Sequence, residues 1–308
     1  MSTPRERVIL AGKSTPLTGI LTYPTPNAPP ASDRPWLILL NAGVLHKMGP
    51  NRMTVRLARE AAARGLTSCR FDFASVGDSA ARSDGRSLAE GVVVDVREII
   101  SHLQRAHRVD RFVVIGLCSG ADNALRAAQA DERIVGVCML DPSIHRTRRW
   151  YVEHFGPRIV SPRVWRSLLS FRHSRIASMR GAIARRLSGE KSAPAERPEL
   201  FRTGYTDMTV MEAHLQEVLA RRVELFVAFS GGWREIYNYR TQIFDAFPRV
   251  QFADKLRLEF YPQAEHTFDL ETHRKVLLTD ILDWVMSAPF TGARPAPDPA
   301  PAVEARAS

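Results

Sequence analysis

Residues 116–120 read GLCSG, a Gly-x-nucleophile-x-Gly spacing between the apolar run RFVVIG and the helix-like run ADNALRAAQA. Strand, tight turn and helix is the setting in which that spacing carries chemistry, because it exposes one side chain at the head of the helix. The spacing also chooses between two neighbours. Centring the turn on Ser119 would need glycines at 117 and 121, where the chain has Leu117 and Ala121; centring it on Cys118 puts Gly116 and Gly120 at the two crowded positions. Cys118 is therefore the expected nucleophile, with the thiolate favoured by the helix start and by a nearby imidazole. Ser119 keeps a backbone role, since its N–H directly follows the nucleophile, where an oxyanion donor is placed. A second donor is expected in the loop NAGVLHKMGPN, at Val44 beside Gly43.

A nucleophile of this kind works with an imidazole, and the imidazole with an acid that orients it. His266 follows LRLEFYP, the last strand-like run, and is the expected base. His102, His107, His145, His154, His173 and His214 fall on helical runs or in a basic stretch and read as surface residues, whereas His46 reads as lining a pocket. Two carboxylates compete for the acid. Glu235 follows the penultimate strand-like run, two residues past Trp233, which stands where an aspartate is expected; Asp141 ends the run VCMLD. Glu235 is the first expectation and Asp141 the alternative, with a plain turn cap as the bland role of Asp141.

The elements that must hold these residues alternate along the chain. Strand-like RERVILA, LTGILTY and PWLILLNA are followed by a helical GPNRMTVRLAREAAARG, for which Asn51 is the expected cap. Strand LTSCRFDF, helix LAEGVVVDVREIISHLQRA, strand RFVVIG, helix ADNALRAAQA and strand IVGVCML continue the rhythm. Such units predict an α/β fold, a mainly parallel sheet with helices on both faces. After Asp141 the strands stop for about 80 residues, counted directly. Helical SPRVWRSLLSFRHSRIASMRGAIARRLSG, polar EKSAPAERPE and helical TDMTVMEAHLQEVLARR, capped at Thr206 or Asp207, read as an insertion over the sheet. Strand ELFVAFSG, helix YNYRTQIFDAF, strand LRLEFYP and helix ETHRKVLLTDILDWVMSA then resume the pattern. The expected organisation is a core of 1–141 and 223–288, a basic helical cap of 142–222 and a disordered Pro/Ala-rich tail of 289–308.

Composition bounds the partners. The 308 residues carry a formal charge of +10, and residues 142–222 hold 16 Arg/Lys against 7 Asp/Glu, so nearly all the excess is in the cap. Such a surface attracts acidic substrates or an anionic membrane face. Nucleic acid is not expected, because no aromatic interleaving or DNA-binding motif accompanies the arginines. Cys69, Cys118 and Cys138 have no CxxC spacing and are expected to be reduced, with no metal site and no cofactor. The N-terminus has no signal-peptide pattern and no apolar run approaches bilayer length, so a cytoplasmic protein is expected.

With these residues in place, residues 5–288 resemble the α/β-hydrolase superfamily. FDFASVGDS is similar to its D-x-x-G-x-G-x-S loop, with Asp78 read in place of the second glycine. NAGVLHKMGPNRM, GLCSGAD, DPSIHRTRRWYVEHFGPRIVSPRVWRSLLS and EHTF resemble the exosortase-system-associated hydrolases and serine-aminopeptidase-like proteins of bacteria, and the Cys elbow is similar to dienelactone hydrolase. The resemblance implies a Cys118–His266 catalytic pair under a helical cap. It implies cleavage of an ester, thioester or lactone through a thioester acyl-enzyme on a small acyl substrate, anionic if the arginines select it. Acyl transfer is the alternative, as is a catalytically weak binding or assembly component linked to envelope polysaccharide production.

Overall fold

The computed structural model describes residues 3–31, 33–159 and 204–290. The helical run expected over 161–189, the polar break over 190–199 and the tail from 291 onward lie outside the described residues.

Among the described residues one sheet has the order β1-β2-β4-β3-β5-β6-β7-β8. Its strands are β1 Glu6–Ala11, β2 Leu17–Thr22, β3 Trp36–Leu39, β4 Ser68–Phe71, β5 Phe112–Leu117, β6 Ile134–Leu140, β7 Glu224–Ser230 and β8 Leu256–Tyr261. β2 runs antiparallel to both β1 and β4, and every pairing from β4 through β8 is parallel. The expected mainly parallel α/β sheet is what the chain forms. β5 lies inside the parallel part, so its C-terminal end opens into the crevice where sheets of this kind gather their ligands.

Strand alternation divides the core into two layers. Phe112 and Val114 of β5 pack into one layer with helices α2 (Leu88–His107), α3 (Ser119–Ala130) and α5 (Met208–Ala220). Val113, Ile115 and Leu117 pack into the other with α1 (Met53–Ala63) and α7 (Glu271–Ser287). All six β5 residues are buried, which is why the run reads as continuously apolar. Helix α4 (Arg148–Ile159) lies in the stretch expected as a cap, and α6 (Gln242–Ala246) is much shorter than the helix expected over YNYRTQIFDAF. Tyr237 instead lies flat on Phe229 of β7, with ring centroids 3.5 Å apart and planes 5° from parallel, which draws that stretch onto the sheet.

Asp207 caps α5 as expected, its Oδ1 accepting the Thr209 N–H at 2.8 Å. Asn51 does not cap α1. It sits at φ 50 in a 3-10 turn and sends Nδ2 to Asp269 Oδ1 at 2.9 Å and to the Thr267 carbonyl at 3.3 Å. Nor does Asp78 replace a glycine. The left-handed positions of that loop are Ser75 at φ 68 and Gly77 at φ 53, and a Cβ on Gly77 would stand 2.3 Å from Asp72 Oδ2. Ser75 is the substituted residue. No helix among the described residues is long and apolar enough to cross a membrane.

Candidate active site

Cys118 is the hinge between β5 and α3. Its backbone takes φ 58 and ψ −124, a conformation that costs a non-glycine residue about 1–3 kcal/mol, and its N–H is anchored to the Leu140 carbonyl at 2.8 Å. The two flanking glycines are what let the turn close. A Cβ on Gly116 would lie 2.0 Å from the Gly120 carbonyl oxygen, and one on Gly120 would lie 2.4 Å from the Asn41 carbonyl oxygen. Strand, helix and the end of β3 therefore meet backbone to backbone around a partly exposed thiol. Cys69 and Cys138 are fully buried, and burial pushes the Cys69 thiol up to about 12 and the Cys138 thiol upward as well.

His266 follows β8 in a loop closed by the Ala264 N–H on the Tyr261 carbonyl at 3.1 Å. Its Nδ1–H donates to Asp141 Oδ2 at 2.8 Å. Asp141 is buried at the end of β6, with φ 47, and is held by three further bonds. Its N–H donates to the Ala228 carbonyl at 2.8 Å, while Ser230 donates its N–H to Oδ1 and its Oγ–H to Oδ2, each at 2.7 Å. Burial disfavours a charged imidazole, but the hydrogen bonds to Asp141 and Cys118, together with their negative charge, outweigh it and raise His266 to about 9. The Trp233 indole stacks on the same imidazole, centroids 4.2 Å apart and planes at 14°.

The expectation of Glu235 as the acid is corrected by this geometry. Glu235 is exposed, and its backbone carbonyl accepts from Arg146 Nε at 2.6 Å; the carboxylate on the imidazole is that of Asp141. The reason lies in the register. Leu140 pairs with Ala228, so the next residue, Asp141, reaches the Ser230 donors at the end of β7.

The turn expected to supply the second oxyanion donor spans residues 42–45, closed by the Leu45 N–H on the Ala42 carbonyl at 3.1 Å. Gly43 N–H donates to Ser119 Oγ at 2.9 Å, which pins the turn to the start of α3. The N–H of Val44 has no partner among the described residues, and the first N–H groups of a helix, that of Ser119 included, have none within the helix. Behind the turn lies a cluster that sequence reading missed. Lys47 is buried, with Nζ 2.7 Å from Asp72 Oδ2, 2.5 Å from Asp78 Oδ2 and 3.0 Å from His46 Nε2. Asp72 also accepts the Lys47 N–H at 2.6 Å, Asn41 Nδ2 at 2.9 Å and the Asp78 N–H at 3.0 Å. His46, Asp72 and Asp78 have the ligand set of a cation site, with donor atoms within 4.8 Å of one another. The Lys47 ammonium already fills that role. Lys47 and His46 hold the Asp78 carboxyl down at about 2.

The chain matches no family model and no curated protein. Solved structures do resemble it. An esterase of Pyrococcus furiosus aligns over 92% of this chain and 91% of its own, at 13% identity and a TM-score of 0.55. An α/β hydrolase of a Penicillium species aligns over 92% and 98%, at 14% identity and 0.55. A proline iminopeptidase of Mycobacterium smegmatis aligns over 92% and 100%, at 16% identity and 0.53. The chain has the α/β-hydrolase fold. These neighbours carry different activities on one hydrolase fold, so the likeness speaks for the scaffold and the reaction has to be argued from the site.

Asp122, one turn into α3 from Cys118, accepts the Ser143 N–H at 2.9 Å and Oγ–H at 2.5 Å, and the Tyr205 N–H at 3.1 Å. Burial raises the Asp122 carboxyl above its ordinary range, against those hydrogen bonds. One buried side chain thus ties Ser143 and Tyr205, two residues of the expected 142–222 cap, to α3. Val44, Leu45 and Met48 form an exposed apolar rim on the loop after β3.

Proposed function

We propose that the protein is a hydrolase of carboxylic esters, thioesters or lactones, acting through Cys118, His266 and Asp141. One observation carries it: an imidazole bonded at Nδ1 to a buried carboxylate and facing a thiol held on a strained strand-to-helix turn. His266 stays protonated to about 9, so its proton is on hand for the leaving group. Cys118 Sγ attacks the carbonyl carbon, and the oxyanion is held by the N–H groups of Ser119 and Val44. His266 gives its Nε2 proton to the leaving oxygen or sulfur as that bond breaks, which leaves a thioester on Cys118. The neutral imidazole then takes a proton from water, hydroxide adds to the thioester, and the carboxylic acid leaves as the thiolate is restored. Asp141 keeps the proton on Nδ1 throughout.

An assembly role without catalysis was suggested by an acid missing from the loop after β7; with Asp141 on His266 that motive is gone. Acyl transfer uses the same first half-reaction and differs in the acceptor. The Val44, Leu45 and Met48 rim favours substrates with an apolar part. Anion preference is a separate arm, since Arg146 and Arg149 of the described cap are engaged with the Glu235 carbonyl and with Glu153. At low salt, neutral and anionic esters of equal chain length should differ in kcat/KM if the cap steers charge; equal values discard that steering.

The test of the reaction is trapping. Incubation with an activated acyl ester, followed by peptide mass spectrometry, should show one acyl group on Cys118 that is lost in Cys118→Ala and in His266→Ala. Iodoacetamide should likewise label Cys118 long before Cys69 and Cys138. If Cys118 labels as slowly as the two buried thiols and no acyl adduct forms, the reading fails.

A further inference from the structure

The loop after β7 carries no acid against His266, yet the last residue of β7 and the first three of the loop all touch the dyad or the backbone that carries it. Ser230 grips Asp141 through both its N–H and its Oγ–H. Gly231 leaves room for the next loop, since a Cβ there would lie 2.0 Å from the Pro262 carbonyl oxygen. Gly232 does the same at 2.3 Å from the His266 backbone nitrogen, and its own N–H donates to the Ala264 carbonyl at 2.9 Å. The backbone contact made by this Gly-Gly pair sets the height at which the next side chain meets the imidazole. That side chain is Trp233, flat on His266 at 4.2 Å and 14°.

We propose that Trp233 is a positioning residue that holds His266 as the imidazolium, its indole face serving as a platform for the cation while Ser230 fixes the acid. The proposal rests on the hydrolase reading of Cys118 and His266. A cation parallel to an indole face lies on the negative side of the ring quadrupole, and indole is the strongest of the aromatic platforms. Trp233 Nε1 is buried without a hydrogen-bond partner among the described residues, so the indole is fixed through its faces and its loop rather than by its polar edge. The stack also shields one face of an imidazole whose side chain is 26% exposed. The charged groups against His266 are Asp141 from the end of β6 and Cys118 from the turn after β5. In its own loop Glu265 is exposed; beside Trp233, Arg234 turns to the Pro262 carbonyl at 3.3 Å and Glu235 is exposed. A neutral aromatic plane therefore occupies the place where a second carboxylate would compete with Asp141 for the imidazole.

The experiment is an NMR titration of the His266 ring in the full chain, for the wild type, Trp233→Phe and Trp233→Leu, alongside the pH profile of kcat/KM. In Trp233→Leu the His266 titration and the alkaline limb should both move down by about half a pH unit or more, and kcat should fall more than KM changes. Trp233→Phe, which keeps a ring face, should move both by less. It also keeps the question open to measurement if Trp233→Leu fails to fold, which thermal denaturation reports. A His266 titration unchanged in Trp233→Leu, or in Trp233→Phe where only that variant folds, overturns the proposal. The titration needs no substrate, so a shifted His266 without turnover defeats the hydrolase reading alone, and turnover with an unshifted His266 defeats this one alone.

Discussion

Two buried aspartates flank the Cys118 turn on opposite sides of β5, each at the end of a strand and each against a cation. Asp141 ends β6 and holds His266; Asp72 follows β4 and holds Lys47. Both carboxylates have fully buried side chains, and both accept backbone and side-chain donors. They differ in the cation and in what lies beyond it. An ammonium is a compact standing charge, whereas an imidazole changes charge within the working pH range and has a second nitrogen free for chemistry. Past His266 stands the Cys118 thiol; past Lys47 stand Asp78 and His46. Under the proposed mechanism the same kind of buried acid is thus a working part on one side and a strut for the 42–45 turn on the other.

The largest expected difference is in rate. Asp141→Asn leaves a side chain of the same shape but no charge behind His266, so kcat/KM should fall by about 10³-fold or more, with the imidazole titrating far below 9. Glu235→Gln, on an exposed residue with no contact to His266, should leave kcat/KM at the wild-type value. Steady-state kinetics on a chromogenic ester decides both. If Glu235→Gln is the crippled variant and Asp141→Asn is not, the working pair has been assigned to the wrong side chain.

Next comes stability. Lys47→Met removes the cation from a carboxylate with a fully buried side chain and should destabilise the fold by about 3–5 kcal/mol, because Asp72 is left as an uncompensated buried charge. The double variant Lys47→Met/Asp72→Asn should recover part of that loss, which urea midpoints would show. If Lys47→Met alone has the wild-type midpoint, Lys47 is no strut.

The two sides were unequally legible in the sequence. The elbow was readable because steric demand is written locally: two glycines four positions apart select Cys118 over Ser119, and Gly116 and Gly120 prove to be the contact points. The place of His266, in the loop after the last strand, was readable too. Its carboxylate partner was not, since Glu235 and Asp141 both follow strands, and the contact is made by the register that brings Asp141 to Ser230, residues 89 apart. Lys47 and Asp78 read as ordinary loop charges; their closure around Asp72 depends on the Asn41 and Gly77 contacts, which no local period encodes. Asn51 shows the same limit at smaller scale, for a good capping residue was drawn to Asp269 and Thr267 by the approach of a distant loop. The sheet, in contrast, rests on short-range alternation and was legible almost throughout.

The smallest expected effects lie in pH dependence, and there the two sides should part in opposite directions. His266 has a folded value of about 9, above its ordinary 6.5, so its contribution is full below about 6.5 and is lost as pH rises through 9. Asp78 has a folded value of about 2, below its ordinary 3.8, so its contribution is full above about 4 and is lost as pH falls through 2. Urea midpoints should therefore decline from pH 7 to pH 9.5 in the wild type and less steeply in His266→Gln. Between pH 5 and pH 3 the wild type should lose more than Asp78→Asn does. Salt separates the two further, because Asp78 is largely exposed and its attraction to Lys47 is screened, whereas the His266–Asp141 pair is shielded. An alkaline decline that is as steep in His266→Gln as in the wild type would mean that the imidazolium is not held by the folded state at all, and the contrast between a working pair and a strut would lose its physical basis.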